Sequence, residues 1–178
     1  MIYGNKPAYG GNLIIENDDY AEFIAKEPQA KKFIKPLLGA SEYLHNKKRW
    51  CLWLNGSSPA ELKKCPMIYK KIARYKETRE KSVAVAIRKF AQTPALFAQR
   101  TQPVGNPFII IPSVSSQLRR YIPMGFIYGN TIVTDAVQII PDDDLYHFGV
   151  LTSNVHMKWK RTVCRRLKSD YRYSKDIV

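Results

Sequence analysis

The sequence predicts an α+β fold: one domain, residues 1–178, in which basic helices pack on a small, mostly antiparallel sheet. Three observations point there. Hydrophobic residues make up 45% and charged residues 25% of the 178, the composition of a packed globular chain. Short apolar runs such as Trp50–Leu54 and Phe108–Ile111 are bounded by turn residues, as buried strands are. Between them lies one long stretch of helical period, Met67 to Phe90. There is no internal repeat and no obvious linker.

Tyr3 to Asn12 is rich in Gly, Pro and Asn and reads as a loop. Leu13-Ile14-Ile15 is a short apolar run. Glu16-Asn17-Asp18-Asp19 follows, and carboxylates there suit the free N–H groups of a helix start. Tyr20, Phe23 and Ile24 then mark a short amphipathic helix that ends before Pro28. Lys31 to Leu38 is expected to add another helical turn, with Phe33, Ile34, Leu37 and Leu38 on one face. Trp50–Leu54 is a buried strand, with a turn at Asn55–Ser58. Ser58-Pro59-Ala60-Glu61 starts a helix, Ser as N-cap and Pro at the first position. Cys65-Pro66 breaks that pattern. Ile68, Ile72, Tyr75, Val83, Ile87 and Phe90 recur at about 3.6 residues, with an interruption near Glu80-Lys81-Ser82.

The second half is strand-rich. Phe108–Ile111 sits between Pro107 and Pro112. Met124–Tyr128, a Gly129-Asn130 turn and Thr131–Thr134 read as a hairpin. Asp135–Ile140 continues as strand, and Pro141–Asp144 is a turn. A short helix follows from Leu145 to about Thr152, then a basic helix over Ser153–Arg166, then loop or strand to Val178.

Lys and Arg number 29 against 15 Asp and Glu, a formal net charge of +14. That excess fits a polyanionic partner such as DNA or RNA. Three cysteines, none at CxxC spacing, argue against a disulfide framework and a zinc site. No apolar run approaches the roughly 18 residues of a membrane span, and the start lacks a signal-peptide core. A cytoplasmic protein with no membrane partner is expected.

Catalytic signals are poor. His45, His147 and His156 stand near no Ser, Asp or Cys at a diagnostic spacing, and His147 is expected to be buried and hydrogen-bonded. There is no P-loop, no dinucleotide fingerprint and no HExxH. Asp142-Asp143-Asp144 is the one acidic run that a small metal-dependent nuclease could use; a solvated turn is the preferred reading. An RNA-binding basic domain is the other alternative.

The charge is clustered. The helical stretch from Lys63 to Lys89 is strongly basic, which suits either a solvated face or a phosphate-facing one. Between Ser153 and Val178 the basic residues are Lys158, Lys160, Arg161, Arg165, Arg166, Lys168, Arg172 and Lys175, with His156, Trp159, Tyr171 and Tyr173 interleaved. Arg donates two bonds to a guanine edge, and Lys reaches the same edge or a phosphate. Trp159 is expected to anchor the core. Ser115-Ser116 beside Arg119-Arg120 pairs short hydroxyls with arginines, a set that holds phosphate oxygens or forms an ordinary surface turn.

Four stretches carry a family resemblance. They are Lys6-Pro7 with Gly10–Leu13 and Phe33–Ala40; Arg49–Leu54 with Ser58-Pro59; Ile111–Ser116 with Arg119–Phe126; and Leu151–Ser153 through His156, Met157 and Trp159 to Arg166–Ser174. Together they resemble the target recognition domain of MmeI-like (type IIL) single-chain restriction–modification enzymes. The methyltransferase module of those enzymes is a class I S-adenosylmethionine-dependent DNA adenine methyltransferase. The resemblance spans nearly the whole chain.

It implies a sequence-specific reader of double-stranded DNA, joined in one polypeptide to a methyltransferase domain that methylates adenine N6 and, in some parents, to a nuclease. S-adenosylmethionine, and Mg for cleavage, belong to the parent. This sequence contains no Asn-Pro-Pro motif, so no catalytic residue and no cofactor are expected in the chain itself. The resemblance places base reading near Lys158, Lys160 and Arg161. The family pattern has small or apolar residues at Lys158 and Lys160 and Gly at Arg165, so these departures mark candidates for this protein's own specificity. Ser115, Ser116, Arg119, Arg120, Lys168 and Arg172 are assigned to phosphates.

Overall fold

The computed structural model describes residues 1–8, 11–103, 107–141 and 144–173. Asp142 and Asp143 of the acidic run lie outside the described residues. The elements follow in chain order: β1 (Ile2–Tyr3), β2 (Ile14–Glu16), α1 (Asn17–Lys26), a 3₁₀ turn (Pro28–Phe33), β3 (Ile34–Leu38), α2 (Ala40–His45), β4 (Arg49–Leu52), α3 (Pro59–Lys63) and α4 (Pro66–Glu80). Then come α5 (Val85–Arg88), a second 3₁₀ turn (Lys89–Gln92), β5 (Phe108–Pro112), β6 (Val114–Ser115), β7 (Gly125–Ile127), β8 (Ile132–Val133) and β9 (Val137–Ile140). The chain closes with α6 (Leu145–Thr152), α7 (Asn154–Val163), β10 (Arg166–Leu167) and β11 (Asp170–Arg172). The α+β class with antiparallel pairing is as expected, with the strands spread over small sheets instead of one.

Two compact units are distinguished. One comprises Asn5–Leu37 and Lys48–Arg100; the other comprises Met1–Gly4, Leu38–Lys47 and the described residues from Thr101 on.

In the first unit β4 pairs antiparallel with β2 and β3, placing Cys51 opposite Ile14 and Lys35. The stretch 34–38 is therefore strand, not the helical turn its apolar spacing suggested. Pro28 opens only a 3₁₀ turn, and Ile34 is already extended. Glu16 stands at the N-cap of α1 without a side-chain cap bond, and Asp18 and Asp19 sit in the first turn, where negative charge suits a helix start. Ser58 does cap α3: its Oγ accepts from Glu61 N at 3.2 Å, and Glu61 Oε2 accepts from Ser58 N at 3.1 Å. Helix α4 begins at Pro66, and its first N–H groups are satisfied from outside. The buried carboxylate of Glu27 accepts from Met67 N at 2.7 Å.

The end of α4 holds a buried cation. Nη1 of Arg79 donates to the carbonyls of Phe90 and Thr93 (2.9 and 3.0 Å), and Nη2 to those of Leu96 and Pro7 (2.9 and 3.2 Å). The guanidinium also lies 3.8 Å from the Tyr75 ring centroid. Burial pulls its pKa down, against the neighbouring Tyr75. Arg79 thus extends the buried row of Ile68 and Tyr75.

In the second unit β5 is buried along its whole length, with β9 on one side and β7 on the other. Its side chains alternate between two cores. Phe108 and Ile110 join Val133, Val137 and Ile139, with α2 covering them through Ala40 and Tyr43. Ile109 and Ile111 join Ile122, Met124, Met157 and Tyr173, covered by Phe148 and Leu151. The basic helix α7 therefore packs on the sheet through Met157. The expected 124–134 hairpin does not form: Gly129 does turn the chain, with φ +73°, but β7 takes β5 as its partner.

Candidate nucleic-acid interface

Helix α7 sorts its residues by face. Ser153 caps it, its Oγ accepting from His156 N at 3.1 Å. Met157, Lys160 and Cys164, spaced three and four apart, are buried. Lys158 and Arg165 are exposed, and Arg161 is half-buried. Trp159 is not a core anchor: it is 56% exposed, because its position on the helix points away from the sheet. His147 likewise lies on an exposed part of α6, not in the interior.

Lys160 departs most from expectation. It is 1% exposed, and its ammonium stands 3.8 Å from the Tyr171 ring centroid. Burial holds its pKa down at about 8. A side chain so placed is committed to the interior and, contrary to the expectation from sequence, does not face a base edge. Beside it, His156 Nε2 and Tyr173 Oη are 3.0 Å apart. Burial, and then the Lys160 charge, lowers the His156 pKa; burial raises that of Tyr173.

Three segments meet at this end of the unit. β11 pairs with β10 on one side and with β6 on the other, so Tyr171 lies opposite both Arg166 and Ser115. Ser115 is consequently buried, 3% exposed, and is not a phosphate ligand in this conformation. Ser116 remains half-buried and turns the chain: its Oγ accepts from Leu118 N at 3.3 Å, and its carbonyl from Arg119 N at 3.1 Å. Arg119 and Arg120 are exposed. Arg161 donates to the Arg120 carbonyl, which ties α7 to this loop. Arg172 N donates to the Arg165 carbonyl at 2.9 Å, bringing those two together. Lys168 sits exposed at the β10–β11 turn with φ +57°.

The structure therefore gathers Arg119, Arg120, Lys158, Arg161, Arg165, Lys168 and Arg172 around one three-stranded ribbon and one helix. Asp170 is the single carboxylate carried by these segments, and its Oδ1 accepts from Gln117 N at 3.3 Å. A solvent-facing surface with this excess of positive charge suits phosphate and base-edge contacts. Arg166 belongs here too, although the sequence gives it no separate role. It lies 4.8 Å from the Tyr171 ring centroid and 3.4 Å from Gln117 Oε1. Its signal was register: a hairpin over 166–172 puts it across from Tyr171. Alongside, α6 and α7 border an apolar groove of about 620 Å³ whose lining, Trp159 and Tyr146 included, contains no Lys or Arg.

The basic stretch of α4 is partly neutralised. Glu77 pairs with Lys81 at 2.6 Å and Glu80 with Lys76 at 3.8 Å, the i,i+4 pairs of a solvated helix face. Among the described residues no group of three or more His, Cys, Asp or Glu could hold a metal ion. No described helix is long and apolar enough to cross a membrane.

The family model "MmeI, target recognition domain" matches residues 1–178. DNA methyltransferase A of Bacillus subtilis (strain 168) is 39% identical over 174 residues, which is 98% of this chain and 20% of that protein. The solved structure of the type IIL restriction-modification enzyme MmeI in complex with DNA superposes with a TM-score of 0.96 at 38% identity, covering 99% of this chain and 24% of that one. The chain thus spans about a fifth of the length of the curated relative it matches.

Proposed function

This chain belongs to the MmeI target recognition domain family, and from that premise we propose that residues 1–178 work as one module reading double-stranded DNA for a restriction–modification methyltransferase. The observation that carries the reading is the strongly basic surface in which α7, the 116–120 loop and the β10–β11 hairpin are linked by hydrogen bonds. Arg119, Arg120, Lys168 and Arg172 grip phosphates, while Lys158, Arg161 and Arg165 face base edges. The parent polypeptide supplies the methyltransferase domain, which takes the adenine out of the stack and methylates its N6 with S-adenosylmethionine as donor. Where the parent also cuts DNA, a nuclease region uses Mg. The module works in the cytoplasm, beside the DNA it reads.

Fluorescence anisotropy of the chain with duplex DNA, single-stranded DNA and structured RNA, across a salt series, tests this. Tighter duplex binding with a steep negative salt slope is expected, followed by selection of a preferred site from randomised duplexes. Equal or better binding to structured RNA would sink the reading.

A further inference from the structure

Leu118 stands 90% exposed in the loop that joins the buried Ser115 to the buried Ile122. Isolated exposed leucines are common on protein surfaces. This one differs in how its surroundings are fixed. Its own N–H is held by Ser116 Oγ, and the next N–H by the Ser116 carbonyl. Gln117 before it is bound through its main chain to Asp170 and through its side chain to Arg166. The Arg120 carbonyl after it is bound to Arg161. The loop is thus anchored on both sides of Leu118, with its neighbours Gln117, Arg119 and Arg120 exposed. Held outward, the isobutyl group is left almost wholly to solvent.

Resting on the DNA-reading function above, we propose that Leu118 is a further specificity-determining contact, an apolar tip that enters a groove of the duplex and packs on base edges or between base steps. Arg119 and Arg120 beside it hold the flanking phosphates. A basic loop presenting an aliphatic residue has the chemistry for this. The cations bring the loop to the backbone, and the apolar group gains by leaving water against bases. A thymine methyl or the face of a base step is the matching surface.

The two kinds of contact separate in a salt series. Phosphate contacts set the slope of log affinity against log salt, whereas burial of an apolar group is nearly independent of salt. The test measures binding of the wild-type chain, L118A, L118M and R119A to the selected duplex. L118A should bind about ten-fold more weakly at every salt concentration with an unchanged slope, the loss of one buried aliphatic group. L118M should recover most of that loss, and R119A should flatten the slope. Because Leu118 is exposed, the melting temperature of L118A should match that of the wild type. If L118A binds as the wild type does, or differs only in slope, the inference is overturned while the DNA-reading function stands. If the wild-type chain shows no duplex binding, that function and this inference fall together.

Discussion

Lys160 Nζ and the ring of Tyr171 meet at 3.8 Å inside the unit, so a lysine in the middle of the basic helix α7 faces inward. Its pKa of about 8, against an ordinary 10.5, means that the folded chain binds this proton less tightly than the unfolded chain does. From about pH 8 to 10.5 the unfolded state therefore carries more protons, and this group's contribution to stability rises with pH. Below pH 8 the cost of burying the charge is present in full.

Lys160→Met should accordingly be more stable than the wild type at neutral pH. The gap should narrow by roughly 2–3 kcal/mol as pH rises toward 10. Urea unfolding at pH 7 and pH 9.5 measures both quantities. A wild type that loses stability relative to the variant over that range would contradict the burial of the charge.

Arg79→Met should destabilise the first unit severely. It removes four charge-assisted hydrogen bonds to main-chain carbonyls from the interior, a loss of about 3–5 kcal/mol. Arg79→Lys should recover little, since an ammonium has three donors and no planar fork. Denaturant midpoints of both variants give the answer.

Arg119→Ala should weaken binding to all duplex sequences alike and reduce the salt slope by about one unit. Arg165→Ala and Lys158→Ala should instead relax discrimination at single base pairs, by about 1–3 kcal/mol for a good bidentate contact. Anisotropy with the selected site and single-base variants separates the two behaviours. Uniform loss in all three would abolish the division between grip and readout.

Gly4→Ala should destabilise the second unit by about 1–3 kcal/mol or more. A Cβ at position 4 would lie 2.3 Å from the Thr134 carbonyl oxygen, which is main chain and has no room to yield. The shift would pull at the bond from Gly4 N to the Val137 carbonyl. Thermal unfolding should show a lowered midpoint, while Gly56→Ala, with open space around its Cβ, gives a control limited to the cost of its left-handed φ of +81°.

Much of the fold was legible because its signals are local. Ser58-Pro59, Cys65-Pro66 and the interruption after Glu80 mark helix boundaries within a few residues of themselves. The failures share the opposite property. The Gly-Asn turn between β7 and β8 suggests that they pair, but a turn does not choose a partner; the fully buried β5 does. Arg79 and Lys160 carry charges, and their acceptors or ring partner come from distant segments. Periodicity held the clue in both cases. Arg79 continues the row of Ile68, Ile72 and Tyr75, and Lys160 lies between Met157 and Cys164. Ser115 departs from its expected exposure for a related reason: strand pairing with β11, invisible in the local sequence, buries it.

The four-carbonyl grip of Arg79 makes one side chain into a non-covalent staple. It fastens residue 7 and residues 90, 93 and 96 to a single point on α4, closing several loops at once. Small domains often use disulfides for this, yet Cys51, Cys65 and Cys164 are all free thiols. The staple is therefore indifferent to redox conditions. Because all four bonds leave from one rigid plane, they also break together. Amide hydrogens around residues 90–96 should exchange in a single concerted opening, rather than fraying one by one.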